Sequence, residues 1–472
     1  MKFQIGLVGL GVMGRNLALN MERNGFSVCA FDIDEQQRQK AQEAFSNKKM
    51  SVVTSFNDLL FALERPRKIM MMVPAGKAVD AVIDALSPLL QSGDLLIDGG
   101  NSYFLDTERR YKQLKGKGIL YIGTGVSGGE EGALHGPSLM PGGNPQAWPL
   151  IEDLFSAIAA KTEDGAPCAA WIGEGGAGHF VKMVHNGIEY GDMQMICESY
   201  FLMKQLLQMP AQEMSAVFQK WNQGELDSYL IQITADILSK TNPETGQPMV
   251  DVILDTAGQK GTGKWTSQAA LDFGVPAPTI AEAVFARFIS ALKEERVQAS
   301  KVINSPQFQF KDDKKQFIDS LEQALYASKI CSYAQGFQLM KAANDEFNWN
   351  LNLANIAQIW QGGCIIRAKF LIKIKQAFSE NSNLDNLMLA SYFREALQKR
   401  QTAWRKVVST AALTGMPTPA LSSALAYFDS YRSAQLPANL LQAQRDYFGA
   451  HTFERIDRPR GQFFHFDWQQ NS

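Results

Sequence analysis

Cysteine is scarce in this 472-residue chain. The five present (Cys29, Cys168, Cys197, Cys331, Cys364) are odd in number and form no Cys-x-x-Cys pair. That excludes a disulfide framework and a cysteine zinc site, and it suits a reducing cytoplasm, the expected location. A surplus of charge is missing too: 46 Lys+Arg stand against 48 Asp+Glu, a net charge of −2. A dedicated nucleic-acid binder carries a basic excess, so no nucleic-acid partner is expected. No apolar run approaches the ~18–20 residues that span a bilayer, so no membrane partner is expected either. Met1-Lys2-Phe3-Gln4 enters a strand pattern at once, which leaves no room for a signal peptide. What is present is a globular composition, 45% hydrophobic and 20% charged, in a chain long enough for two or three domains.

Short apolar runs alternate with helical patterns over residues 1–177. Strands are expected at Phe3–Val8, Val28–Phe31, Ile69–Val73, Leu95–Asp98, Ile119–Ile122 and Ala169–Ile172. Helices are expected between them, at Met13–Arg23, Ala78–Leu90 and Pro145–Ala160. Such alternation implies a parallel sheet covered on both faces. Residues 178–433 read as almost entirely helical, with long periodicities such as Met193–Leu207 and Ile280–Leu292. Trp221-Asn-Gln-Gly224 recurs as Trp360-Gln-Gly-Gly363, and Ser199-Tyr200 recurs as Ser332-Tyr333, which hints at a duplicated helical unit. Residues 434–472 change character. Asp457-Arg-Pro-Arg-Gly461 followed by Phe463-Phe-His-Phe466 reads as an extended aromatic tail that must pack on something, a partner subunit being one candidate.

Gly9-Leu10-Gly11-Val12-Met13-Gly14 follows the first strand and opens the first helix, with Asp32 at the end of the second strand. The first glycine permits a tight turn, the second admits a pyrophosphate, and the third lets helix and strand pack closely. The helix start then offers free N–H groups to phosphates. This is the fingerprint of a Rossmann dinucleotide site. Asp32 suits ribose hydroxyls and repels a 2′-phosphate, Asp34 adds a second negative charge, and Ile33 supplies no cation. Arg38 is the only neighbour able to offset them and reads as a solvated surface arginine. NAD is therefore expected over NADP.

Lys182, His185, Asn186 and Glu189 fall at i, i+3, i+4 and i+7, one ~100° stripe of a helix bordered by Tyr190. The stripe follows the glycine-rich Gly173–Gly178 and mixes an amine, an acid, an imidazole and an amide. That is unlike an ordinary solvated Lys/Glu face. Two further polar segments, Gly123–Gly132 and Asp98-Gly-Gly-Asn101-Ser102, follow strands of the same sheet, at the edge where α/β ligands collect. Backbone N–H groups at Ser127–Gly129 suit an anion such as a carboxylate. Lys260-Gly-Thr262-Gly-Lys264 resembles part of a phosphate cradle but lacks P-loop spacing. No metal-ligand cluster stands out.

These residues resemble the decarboxylating 6-phosphogluconate dehydrogenase family. The matching stretches are Ile122–Leu134, Lys182–Asp192, Lys260–Thr266 and Arg445-Asp-Tyr-Phe-Gly-Ala-His451. The resemblance implies an α/β Rossmann domain followed by a large all-α domain and an extended C-terminal tail that reaches the partner subunit of a homodimer with shared active sites. It implies oxidation of 6-phospho-D-gluconate with loss of carbon dioxide, with Lys182 as base and Glu189 as acid. By the same resemblance Asn101, Ser127, Gly128, Gly129, His185 and Asn186 hold the carboxyl end and hydroxyls of the substrate. Tyr190, Lys260, Thr262 and Arg287 hold its phosphate, with Arg445 and His451 from the partner chain. The cofactor candidates are Gly9, Leu10, Gly11, Val12, Met13, Gly14, Asp32, Ile33, Asp34, Val73, Pro74, Ala75 and Asn101. The family usually carries Asn-Arg-Ser/Thr at 32–34, often Ala at 11, and commonly Lys where Pro74 stands. The first and last departures remove cations and point again to NAD. The alternative is a β-hydroxyacid dehydrogenase of the 3-hydroxyisobutyrate type, whose chains are much shorter and lack the Lys260 loop and the tail. A silent NAD-binding regulator would be free to lose Lys182 and Glu189.

Overall fold

The computed structural model describes residues 2–306 and 310–468; the outermost ends of the first and last expected segments, residue 1 and residues 469–472, lie outside them. By packing, the chain falls into two compact units, Met1–Ala424 and Leu425–Ser472.

In the first unit the described residues form one eight-stranded sheet, in the order β3-β2-β1-β4-β5-β6-β7-β8. The strands are β1 (Ile5–Val8), β2 (Val28–Phe31), β3 (Met50–Val52), β4 (Lys68–Met71), β5 (Leu95–Asp98), β6 (Leu120–Ser127), β7 (Ser138–Gly143) and β8 (Gly173–Glu174). Seven helices cover it: α1 (Val12–Arg23), α2 (Glu35–Ala44), α3 (Phe56–Ala62), α4 (Lys77–Leu86), α5 (Phe104–Lys115), α6 (Gly129–His135) and α7 (Trp148–Ile158). Successive strand residues point to opposite faces, so each strand feeds two cores. Ile5, Leu7, Met70 and Ile97 enter one cluster, while Val8, Ile69, Met71 and Leu96 enter the other.

The sheet is not wholly parallel, as the alternation implied: β6 and β7 pair antiparallel, from Ile122–Gly143 to Ser127–Ser138. β7 was not expected: Pro141, Gly142 and Gly143 are poor strand material. Nor was the three-residue β3. The expected strand Ala169–Ile172 makes only one bridge, Leu139 to Ala169, and the pairing passes to Gly173–Glu174.

The chain then turns helical: α8 (Ala177–Phe201), α9 (Ala211–Trp221), α10 (Tyr229–Leu238), α11 (Thr262–Asp272), α12 (Pro278–Ala291), α13 (Lys293–Val302), α14 (Lys314–Phe347), α15 (Leu353–Ile359), α16 (Leu371–Glu380), α17 (Ser391–Thr414) and α18 (Pro419–Tyr431). α8 is buried nearly all round, as a central helix must be. Its closest crossings use glycine. A Cβ on Gly187 would meet Thr266 Cγ2 at 2.5 Å, and one on Gly191 would meet Ser332 Oγ at 2.6 Å. Of the matched segments, Ser199-Tyr200 lie at the end of α8 and Ser332-Tyr333 in the middle of α14, while buried Trp221 ends α9 and buried Trp360 follows α15. No described helix is long and apolar enough to cross a membrane.

The second unit contains α19 (Ala438–Gly449) and a non-helical stretch paired to itself at Phe453 and Phe464. Asp446 anchors that stretch. Its carboxylate accepts from Thr452 N (2.9 Å), Phe466 N (3.1 Å) and Trp468 Nε1 (2.8 Å), and it meets His465 Nδ1 at 2.9 Å. Burial pushes the acid up, but these donors win and hold it well below the usual carboxylate range.

Candidate functional site

The glycine turn is built as its spacing requires. Gly9 has φ +98°, and a Cβ there would lie 2.5 Å from Met72 O. A Cβ on Gly14 would lie 2.0 Å from Gly9 O, so only glycine lets α1 start this close to β1. Gly11 is different, since a Cβ there meets nothing within 4 Å. The open space is one wall of a cleft of ≈940 Å³ that also touches Val12, Met13, Asp32, Ile33, Asp34, Val73 and Pro74. A helix start facing empty space across a glycine fits a dinucleotide pyrophosphate. Ala75 sits on the β4–α4 turn beside Pro74.

Asp32 does more than face a ribose. Its Oδ2 accepts from Leu10 N (2.6 Å) and its Oδ1 from Asp34 N (2.9 Å), so it locks the glycine turn to the end of β2. Asp34 caps α2 by accepting from Gln36 N at 2.8 Å. Ile33 is exposed between them. Arg38 is not the solvated arginine its position in the sequence implied. Its Nη1 donates to Asp32 O (2.8 Å) and Ile33 O (3.0 Å), because the turn leaves those carbonyls without partners in the sheet. Arg15, which the sequence did not single out, donates to Leu10 O (2.6 Å) and Gln37 Oε1 (2.7 Å) at the same rim.

The stripe on α8 lies against β6 and β7 through a seam of glycines. A Cβ on Gly125 would meet Lys182 Cβ at 2.4 Å, and one on Gly178 would meet Gly123 O and Met140 O at 2.4 Å. Gly123–Ser127 is therefore strand rather than loop, and its glycines serve close packing. The chain turns only afterwards, at Gly128 (φ +113°) and Gly129 (φ +63°).

Lys182 Nζ donates to Asn186 Oδ1 at 2.6 Å. Asn186 Nδ2 donates to Thr262 Oγ1 at 3.0 Å, tying α8 to the start of α11. His185 Nδ1 faces two acceptors, Asn186 Oδ1 (3.1 Å) and Glu189 Oε2 (3.8 Å), so Nδ1 carries the proton. Its Nε2 is then free to accept from Ser127 Oγ at 3.4 Å. Asn101 is exposed just past β5, where Gly100 N donates to Asp98 Oδ1 at 3.0 Å.

Burial shifts every titratable group of the stripe toward its neutral form. Desolvation lowers the Lys182 amine, against a partial pull upward from Glu189. Desolvation raises the Glu189 acid, against Lys182 and Arg287. His185 is driven well below its ordinary value by burial and then by the Lys182 charge. An amine inclined to be neutral and an acid inclined to be protonated are the forms that general base and general acid chemistry need.

The phosphate candidates divide. The Arg287 guanidinium stacks 3.5 Å above the Tyr190 ring, and Gly263 lies against the same ring, so Arg287, Tyr190 and Thr262 gather at one end of the stripe. Lys260 lines the dinucleotide cleft instead, together with Gly11 and Pro74. Arg445 and His451 are exposed in the second unit, on α19 and just after it.

Three neighbours of the stripe escaped the sequence reading. Trp360 packs edge-on to His185 (5.5 Å) and was visible only as a repeat signature. Asp192, one turn beyond Glu189, forms a buried ion pair with Lys329 of α14 at 2.6 Å. Among the described residues no cluster of His, Cys, Asp and Glu could hold a metal ion.

Residues 4–173 match the NAD binding domain of 6-phosphogluconate dehydrogenase, and residues 178–468 match its C-terminal domain. The chain is 57% identical over 470 residues to a Bacillus subtilis protein, "6-phosphogluconate dehydrogenase, NADP(+)-dependent, decarboxylating", covering 99% of this chain and 100% of that one. It is 55% identical over 467 residues to the human "6-phosphogluconate dehydrogenase, decarboxylating", covering 98% and 96%. The solved Plasmodium falciparum 6-phosphogluconate dehydrogenase superposes with a TM-score of 0.94 at 44% identity, covering 98% of this chain and 100% of that one. That structure was described in apo form, with its cofactor NADP+ and with its substrate 6-phosphogluconate.

Proposed function

Because the chain belongs to the decarboxylating 6-phosphogluconate dehydrogenase family, we propose that its α8 stripe oxidises 6-phospho-D-gluconate at carbon 3 and releases carbon dioxide to give ribulose 5-phosphate. The observation that carries this reading is the pairing of Lys182 and Glu189, both driven toward neutrality by burial and each within electrostatic reach of the other. The bound nicotinamide supplies the hydride acceptor. Lys182 takes the carbon-3 hydroxyl proton, and the resulting ammonium polarises the new ketone. The β-keto acid then loses carbon dioxide readily because that ketone accepts the electron pair. Glu189 protonates carbon 1 of the enediol.

Asn101, Ser127, Gly128, Gly129, His185 and Asn186 hold the carboxyl end and hydroxyls in this reading. Tyr190, Thr262 and Arg287 hold the phosphate, joined by Arg445 and His451 of a second copy, while Lys260, the remaining phosphate candidate, stands on the dinucleotide side. Support for a homodimer comes from α12, which leaves Phe285, Phe288, Ile289 and, at its C-cap, Leu292 exposed at i, i+3, i+4 and i+7. An exposed apolar helical face of this kind is what a subunit interface covers. The division into residues 1–177, 178–433 and 434–472 remains the functional one: cofactor, substrate and partner-reaching tail.

The cofactor reading is NAD over NADP. Asp32 and Asp34 support it, since two carboxylates flank the exposed Ile33 where a 2′-phosphate would have to sit. Arg38 lies against the same turn, but two of its donor interactions are spent on carbonyls. Initial rates with 6-phosphogluconate, read as absorbance at 340 nm, test both halves. The expected result is a higher kcat/KM with NAD, and a pair of substitutions, Asp32→Asn with Ile33→Arg, should move the NAD/NADP ratio by about tenfold or more toward NADP. A parent enzyme markedly better with NADP overturns the cofactor reading, and one inactive with both overturns the reaction.

A further inference from the structure

Two turns meet beside the cleft, and one buried side chain joins them. The β4–α4 turn carries the cofactor candidates Val73, Pro74 and Ala75 and ends at Gly76, which caps α4. The β5–α5 turn carries Gly100, Asn101 and Ser102. They abut closely enough that a Cβ on Gly100 would lie 3.1 Å from Val73 O. Arg110, on α5 and 1% exposed, sits behind both. On one side its Nη2 donates to Gly76 O (3.0 Å) and its Nε to Asp80 Oδ1 (2.8 Å) in the first turn of α4. On the other its Nη1 reaches Asp98 Oδ2 and Ser102 Oγ, each at 3.4 Å. Asp98, fully buried, completes the network by accepting from Gly100 N (3.0 Å), Ser102 Oγ (2.6 Å) and Tyr121 OH (3.1 Å).

We propose that Arg110 is a positioning residue for the reaction: it fixes the cofactor-side turn and the Asn101 turn to one another, so that dinucleotide and sugar acid are presented to Lys182 in a single geometry. The inference rests on the functional reading above. Its physical basis is the guanidinium fork, whose fixed planar donors engage two segments at once. A lysine ammonium at this position satisfies the buried Asp98 charge but cannot span to Gly76 and Asp80 together. A stabilising charge and a bridge are thus separable by substitution. Misplacement of about 1 Å at a reacting centre costs up to about a hundredfold in rate, so loosening either turn is kinetically visible.

The test compares Arg110→Lys, Arg110→Met and Asp80→Asn in the full-length enzyme. Dissociation of reduced dinucleotide is followed by its fluorescence, steady-state kinetics are measured with 6-phosphogluconate, and stability is read by thermal unfolding. Arg110→Lys is expected to keep most of the parent stability yet raise KM for both dinucleotide and substrate by about tenfold, with a fall in kcat. Asp80→Asn, which weakens only the partly exposed α4 side by removing its charge, is expected to raise the dinucleotide KM by a few fold and leave the substrate KM closer to parent. A merely structural role predicts lowered stability in all three with unchanged KM values for the surviving enzyme, and that result overturns the proposal. So does Arg110→Lys with both KM values within twofold of parent. Should Arg110→Met fail to fold, the lysine and Asp80 variants still decide. The fluorescence titration needs no turnover, so a parent inactive on 6-phosphogluconate would sink the functional reading while leaving the clamp measurable.

Discussion

The glycine turn and the α8 stripe solve opposite problems. The turn offers a ligand its backbone, on a half-open rim where Ile33 and Gly11 face space. The stripe presents side chains sunk between the sheet and the surrounding helices, where Lys182 is 6% exposed and His185 is 0% exposed. Backbone recognition tolerates changes of side-chain chemistry but not of volume. Buried side-chain chemistry tolerates neither, because desolvation is what sets the protonation states. The two regions should therefore fail differently when altered.

The largest effect belongs to the stripe. Lys182→Met keeps a similar length and buries no charge, so packing against Gly125 survives while the base is lost. We expect kcat to fall by about 10²–10⁴. Dinucleotide affinity, measured by fluorescence titration, should stay within about twofold of parent. Turnover near parent would remove Lys182 as the base, and a matching loss of dinucleotide binding would dissolve the contrast between the two regions.

Acidity sharpens the same contrast. The proposed reaction needs Lys182 neutral and Glu189 protonated together. At their ordinary values of 10.5 and 4.5 the gap is 10.5 − 4.5 = 6 units, which leaves about one molecule in 10⁶ in that state. Burial moves the amine down and the acid up, and each unit by which the gap narrows enriches the productive pair about tenfold. The need for neutral Lys182 makes activity rise with pH, and the need for protonated Glu189 makes it fall, giving a bell. Glu189→Gln removes the falling requirement. Its kcat/KM profile should rise with pH and then level, at a lower plateau. A variant that keeps both limbs at parental positions would show that Glu189 is not the acid.

Legibility in the sequence followed the same divide. Strands β1, β2, β4 and β5 and the glycine turn were readable because short apolar runs and fixed glycine spacing are local signals. β7 was not, since Pro141-Gly-Gly143 is poor strand material held in place by β6 and β8. The α8 stripe was readable from its 100° period and unusual mixture. Arg110 and the Asp192–Lys329 pair were not, because a charged residue in an amphipathic helix looks solvated until tertiary packing buries it. Lys260 shows the limit of local reading: its neighbour Thr262 joins the stripe, but Lys260 itself lines the dinucleotide cleft.

The smallest effect distinguishes two glycines of one motif. Gly14→Ala drives a methyl to 2.0 Å from Gly9 O, a backbone atom that cannot swing away. Either α1 retreats from β1 or the Gly9 turn distorts, at a cost of roughly 1–3 kcal/mol. That should appear as a lower urea midpoint and weaker dinucleotide binding together. Gly11→Ala meets no atom within 4 Å and sits at φ −59°, a conformation alanine adopts freely. It should leave stability within about 0.5 kcal/mol, or raise it slightly by restricting the unfolded chain. Its methyl projects into the cleft, so any penalty must appear in dinucleotide KM alone. Equal losses of stability at both positions would mean that the open wall beside Gly11 does not exist in solution, and with it would go the placement of the pyrophosphate.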